Sequence, residues 1–403
     1  MNMNKANTSR LMSGYFLYES GRAMYFVLMT WFLYQWTEDA LYTGLFVSFG
    51  FLPGLFSNII FGVLVDRSNR KKLAVLAGII SIICLVLLTG AFWGGIEHPW
   101  LMISAHMIMQ TAGSLFRPSL QALVAEVFAR DALPKIFSWS GSATVSGSLA
   151  GAAAGGLLAG IVSVEMGLFY VVLLYIGATA TIQMIRYAPI EERSHRNSSS
   201  FWMEIKEGFI YVHQNRMLYG LFVMLMLGQL TFHTTLGFLS VYTSAHLNQP
   251  ALVYGMLDST FSIGGIFAGL IGTWWWAKCQ NRIGVWSLLL TASGLAIVSF
   301  TTLTPVAFLG FLFIGMGTSF VRALLQSVQQ MATDSRFHGR MSSLRMLCNQ
   351  TSVVVTGPVF GVLASSHGAS AVFLCLLIPV TGGVIWAHFQ SQQPGFKQIT
   401  KSA

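Results

Sequence analysis

Seven acidic or basic side chains fall more than a turn inside stretches that are otherwise apolar: Glu19 and Arg22, His106 and Arg117, His233, Asp258 and Arg322. In a hydrocarbon slab such groups are costly and rare, so each calls for a partner or a task. Glu19 and Arg22 stand three residues apart, which puts both on one face of a helix and lets them pair. One reading is a self-neutralising pair that makes burial tolerable. The other is a carboxylate whose proton affinity is set by desolvation against the Arg22 charge, able to take and release a proton as water access changes. Asp258 is the rival proton carrier, although its place two turns from the outer end of its stretch suits a gate or a packing hydrogen bond. His233 is the third candidate and His106 a weaker fourth; a lone intramembrane His serves packing as readily as proton relay. Arg117 and Arg322 have three readings: holding an anionic or carbonyl-rich ligand, exchanging partners with Glu19 during rocking, or tying down backbone carbonyls. With Arg22, Gln121, Gln326 and Tyr18 they make up the candidate wall of a ligand cavity.

The remaining composition says what must position these groups. The chain is 54% hydrophobic and only 9% charged, far from the balance of a soluble protein. Apolar stretches of the roughly 20 residues that a bilayer core requires can be placed at 12–36, 41–65, 73–94, 99–127, 136–162, 166–188, 218–242, 251–276, 284–304, 306–331, 342–365 and 370–389. The net charge of +9 comes from 23 Lys and Arg that fall almost wholly in or beside the termini and alternate loops. That asymmetry predicts both termini in the cytoplasm and reports an anionic inner leaflet, not a nucleic-acid partner. Cys84, Cys279, Cys348 and Cys375 are scattered and carry no metal-ligand or disulfide spacing, and no motif asks for a cofactor. The absence of nucleophile elbows and phosphate-cradling loops argues against an enzyme or an ATP-driven pump. The first apolar stretch is long enough to span, so it reads as an uncleaved anchor.

One long polar connection divides the chain. It predicts a first bundle over 1–188, a linker with an amphipathic helix over 189–217, and a second bundle over 218–403. In the linker Phe201, Ile205, Phe209 and Val212 share a helical stripe, with Glu204, Lys206, Glu207 and His213 mostly off it. The two halves echo each other. Arg117-Pro-Ser-Leu-Gln121 recurs as Arg322-Ala-Leu-Leu-Gln326, each four or five residues after a Gly, and Tyr42-Thr-Gly44 is matched by Tyr254-Gly255.

Between the second and third stretches runs Gly62-Val-Leu-Val-Asp66-Arg67-Ser-Asn69-Arg70-Lys71-Lys72. It closely resembles the signature loop of the major facilitator superfamily of secondary transporters, Gly-x-x-x-Asp-Arg-x-Gly-Arg-Lys/Arg-x. Asn69 replaces the second Gly, and Asn is the next best residue for a left-handed backbone. The resemblance implies an all-α membrane protein with twelve transmembrane helices in two pseudo-symmetric six-helix bundles, and a small-molecule substrate bound between them. It implies that Asp66 pairs with Arg340 or Arg345 in the other half and that Arg70 meets Glu126. Gly62 would allow a close backbone approach.

The fifth stretch carries Gly147, Gly151, Gly155 and Gly156 mostly at spacing four, which suits tight helix contact. Gly151-Ala-Ala-Ala-Gly155-Gly156 also resembles the superfamily's antiporter element, with Ala152 where Pro is expected. Phe51-Leu-Pro53, Arg117-Pro118, Ala125-Glu126, Lys206-Glu207-Gly208-Phe209 and His338-Gly339-Arg340-Met341-Ser342 are similar to the branch holding macrolide-efflux proteins and the enterobactin exporter. That branch implies a monomer of the bacterial cytoplasmic membrane that exports a medium-sized organic compound, such as a macrolide-like drug or a siderophore, in exchange for protons. Aromatic and Met side chains (Tyr15, Tyr18, Met24, Tyr25, Phe26, Met224, Met226, Phe232) suit the wall of a site for a large, partly apolar ligand, with some of them at helical spacing serving packing or lipid contact. The alternative reading is a proton-coupled importer of a small nutrient.

Overall fold

The computed structural model describes residues 2–186, 201–334 and 337–401, and every regular element among them is helical. The helices are α1 (Asn2–Thr37), α2 (Ala40–Arg67), α3 (Arg70–Trp93), α4 (Pro99–Val127), α5 (Leu133–Ile161), α6 (Val164–Gln183), α7 (Phe201–Gln214), α8 (Arg216–Val241), α9 (Ala251–Cys279), α10 (Ile283–Phe300), α11 (Thr304–Phe320), α12 (Gln326–Ala332), α13 (His338–His367), α14 (Ala369–Gln392) and α15 (Pro394–Lys401). A π-helical turn, Tyr242–His246, follows α8, and another, Val321–Leu325, joins α11 to α12 into one rod. Residues 189–200 of the expected linker lie outside the described residues.

Among the described residues nine stretches are long and apolar enough to cross a membrane, and one of them, Ala251–Phe300, has 50 residues. At about 1.5 Å per residue that stretch is more than twice the thickness of a hydrocarbon core, room for both α9 and α10. α1 and α4 are long enough but less apolar, because they carry Glu19, Arg22, His106 and Arg117. With them the count reaches the twelve spans expected, leaving α7 and α15 as short additional helices.

Helix starts follow local chemistry. Asp39 caps α2 by accepting the Leu41 N–H at 2.9 Å, and Asn215 caps α8 by accepting from Met217 and Leu218. Asn69 does the same for α3, accepting the Lys72 N–H at 3.0 Å. Its φ of −65° is not left-handed. The replacement of Gly by Asn in the loop therefore supplies a cap, not a left-handed turn. Among the described residues, nothing lies within 4 Å of where a Cβ on Gly62 would stand.

The chain forms two compact units, one of Met1–Arg196 with Pro250–Met256, the other of Asn197–Gln249 with Leu257–Ala403. In the first, α1 is seated against α5 by the glycines: a Cβ on Gly147 would meet the backbone of Phe16, one on Gly151 the backbone of Ser20, and one on Gly155 that of Met24. The period of four on both helices brings their axes close over three turns. Gly156 meets Gly255 in the same way, and Tyr254 stacks on Trp31 and shares a 2.7 Å hydrogen bond with Thr30. In the second unit α7 is not a free linker, because Val212 packs with Phe222, Met341 and Leu344. Phe209, expected on the same apolar stripe, turns outward and is 61% exposed.

Candidate functional site

α1 and α4 bring together the groups that the sequence scatters 98 residues apart. Glu19 is buried, and Arg117 reaches it with two nitrogens, Nε to Oε1 at 3.1 Å and Nη2 to Oε2 at 3.2 Å. Arg22 donates from Nε to Oε2 at 2.6 Å. One carboxylate thus holds two guanidinium groups in charge-assisted hydrogen bonds, the strongest kind available to side chains. Arg117 keeps 48% of its side chain exposed and Arg22 35%, whereas the acid they share keeps 5%.

The cluster rests on an aromatic floor. Tyr18 stacks on Phe116 at 3.9 Å between ring centres and meets Tyr175 edge-on at 5.4 Å. Gly113 makes room for the Tyr18 hydroxyl, which would stand 3.0 Å from a Cβ at that position. Further along the same seam Tyr25 stacks on His106, and His106 lies flat on Phe46 at 3.8 Å. Of the expected wall, Tyr15, Tyr18, Met24 and Tyr25 of α1 are buried, and Met224 of α8 is buried in the second unit beside Gly284. Gln121, one turn beyond Arg117, is exposed.

In the second unit Arg322 lies in the π-helical turn Val321–Leu325, its guanidinium 4.9 Å from the centre of the Phe232 ring. The repeat-equivalent Arg117 is followed by Pro118 inside α4. Both arginines therefore sit where the regular helical ladder is interrupted, one by a missing N–H and one by an extra residue in the turn. Gln326 completes the cation's neighbourhood; with its amide turned to satisfy both ends, it donates to the Arg322 carbonyl and accepts from Arg345 at 3.2 Å. Asp258 is buried, His233 half-buried, and both have interaction partners.

Around the signature loop, Arg70 Nη1 lies 2.7 Å from Glu126 Oε1, and Lys71 donates to the Ile185 carbonyl at 2.9 Å. The Asp66 and Arg67 side chains lie outside the described residues. Of the two bases expected opposite Asp66, Arg345 donates to Gln329 at 3.1 Å, and Arg340 pairs with Glu207 of α7 at 2.8 Å. The Glu207 partner was not foreseen from the sequence; its signal is that Glu207 falls off the apolar stripe of α7 on the flank that meets α13. Among the described residues no group of His, Cys, Asp and Glu could hold a metal ion.

Comparison with known proteins places this architecture. The family model of the Major Facilitator Superfamily matches residues 11–242 and again residues 221–400. Macrolide efflux protein A of Streptococcus pyogenes is 27% identical over 271 residues, which cover 65% of this chain and 64% of that protein. Multidrug resistance protein MdtG of Escherichia coli O9:H4 (strain HS) is 25% identical over 358 residues, covering 86% of this chain and 82% of that one. Among solved structures, the nucleoside transporter NupG superposes with a TM-score of 0.74 over the whole of both chains at 16% identity, a likeness of fold alone.

Proposed function

This chain belongs to the Major Facilitator Superfamily, and from that premise we propose that it exports a medium-sized organic compound across the bacterial cytoplasmic membrane in exchange for protons, by alternating access. It is a multi-pass membrane transporter of small molecules, not an enzyme. The macrolide efflux protein and the multidrug resistance protein among the relatives support the efflux direction and a drug-like substrate; a siderophore is the other substrate class within the proposal.

The observation that carries the reading is the pairing of buried Glu19 with Arg117 and Arg22. Protonating that carboxylate removes the charge to which both guanidinium groups are bound. Their exposed edges are where a substrate would be felt, so proton and substrate act on one cluster, as exchange requires. Asp258 and His233 are the secondary coupling candidates, and Arg22, Arg117, Arg322, Gln121 and Gln326 the substrate contacts. Asp66, Arg67, Arg70, Lys71, Glu126, Arg340 and Arg345 are the gating set. The concentration of Lys and Arg in alternate loops supports a reading with both termini in the cytoplasm, and a single chain as the working unit is part of the same proposal.

The test is proton movement in energised inside-out vesicles, with macrolides, cationic dyes and catecholate siderophores added in turn. Proton release on adding one compound is expected and names the substrate class. Silence across the panel from folded protein would overturn antiport.

A further inference from the structure

α7 is clasped to α13 on one side only. Tyr211 stacks on Phe337 at 4.2 Å with the rings 7° from parallel, its hydroxyl accepts the Asp334 N–H at 3.2 Å, and Glu207 pairs with Arg340. Gly208 and Val212 are buried on the same side. The opposite face presents Lys206, Phe209, Ile210 and His213 at helical spacing, all exposed. Two large apolar side chains thus lie open on a short helix that already has its protein contact.

Their depth is fixed by the chain. Asn215 is the single residue between α7 and the membrane-spanning α8, and its extended backbone (φ −112°, ψ 99°) breaks the helix while its side chain caps the next one. One residue reaches only about 3.5 Å. One turn into α8, Tyr219 is 45% exposed and packs beside Trp386, itself 38% exposed, the pairing of amphipathic rings found where a bilayer meets water. α7 has 14 residues, about 21 Å, and leaves from that level. Among the described residues the exposed charges here are of one sign: Lys206 on this face of α7 and Arg216 at the start of α8 are basic, whereas the acid Glu207 is turned to Arg340.

We propose that this face of α7 is a docking surface for anionic phospholipid, with Phe209 and Ile210 inserted at the headgroup boundary and Lys206 and Arg216 on the phosphates. The leaflet is the one on the side of the basic loops, so its assignment as the inner one rests on the orientation given above; the docking itself does not. An amphipathic helix with bases beside a small apolar insert binds in this manner, gaining from both area and charge. Because the inner face of α7 holds Arg340 and Phe337, lipid on its outer face braces the start of α13.

The test replaces Phe209, and separately Ile210, with the photoreactive benzoylphenylalanine in the full-length protein, reconstituted in vesicles of phosphatidylethanolamine and phosphatidylglycerol. Asp131, in an exposed loop, serves as control. Phospholipid adducts are expected at 209 and 210 and not at 131. The ratio of phosphatidylglycerol to phosphatidylethanolamine adducts should exceed that of the bilayer about fivefold, the scale of one basic residue at an anionic surface. That enrichment should vanish in the folded Lys206→Gln/Arg216→Gln variant. Cross-links to protein, or no adduct at either position, would overturn the docking. Adducts that only mirror the bilayer composition would overturn its anionic specificity. Because the readout is lipid and not transport, a failed export reading leaves it standing.

Discussion

Arg117 grips Glu19 with two nitrogens across the seam of α1 and α4, while Arg22 holds the same carboxylate from one turn away. Removing the acid's charge without removing its shape is the direct probe. Glu19→Gln keeps an oxygen for the guanidinium groups and should leave folded protein in the membrane. Proton-driven transport should fall by at least about tenfold, since no proton can be exchanged at an amide. Wild-type flux in that variant would remove Glu19 from the coupling step.

The two repeat-related arginines should respond differently to Lys. At Arg117 a Lys cannot supply the two-pronged contact, so transport should drop about tenfold. At Arg322 a Lys can still rest its charge over Phe232, so the loss should stay within about threefold. Equal losses at both positions, measured as initial rates, would mean that the fork geometry at Glu19 is irrelevant.

Packing of α1 on α5 can be tested where the structure gives opposite answers for one substitution. A Cβ at Gly151 would collide with the Ser20 backbone, whereas one at Gly160 would meet nothing within 4 Å. Gly151→Ala should therefore lower stability by about 1–3 kcal/mol, and Gly160→Ala should be neutral or slightly stabilising. Thermal unfolding in detergent measures both, and matching midpoints would refute the close approach.

Two ion pairs should differ in weight. Glu126 keeps only 5% of its side chain exposed, so Arg70→Met should cost about 3–5 kcal/mol by leaving a buried acid alone, and adding Glu126→Leu should recover most of it. Arg340 and Glu207 are partly exposed, and Arg340→Ala should cost under about 1 kcal/mol in charge terms. A double-mutant cycle on each pair reads the difference.

The sequence carries the twelve spans, because runs of apolar residues must match the bilayer whatever they pack against. It also carries the Arg70–Glu126 partnership, through the family resemblance. The Glu19–Arg117 contact was one of several open options, since nothing in the spacing says which face of α4 turns toward α1. Of the aromatic and Met residues expected in a wall, Tyr15, Tyr18, Met24, Tyr25 and Met224 are buried while Phe26, Met226 and Phe232 are half-buried, a distinction of side-chain direction that composition does not hold. Asn69 was read for its backbone and acts through its side chain. The π-helical turn at Arg322 leaves no mark in the sequence, whereas Pro118, at the equivalent interruption, is plain.

The i,i+3 pair of Glu19 and Arg22 has a consequence for how the chain is made. The second partner of Glu19 lies 98 residues further on. At about 5–20 residues per second, Arg117 emerges on the order of ten seconds after Glu19. During that interval α1 must enter the bilayer with its acid already matched, and Arg22, one turn away, is the match it brings with it. The seat for α1, the glycine face of α5, is synthesised later still. The first helix therefore waits in lipid as an electrically balanced rod, and the arrival of α4 and α5 turns a pair that permits insertion into the three-membered cluster of the finished bundle.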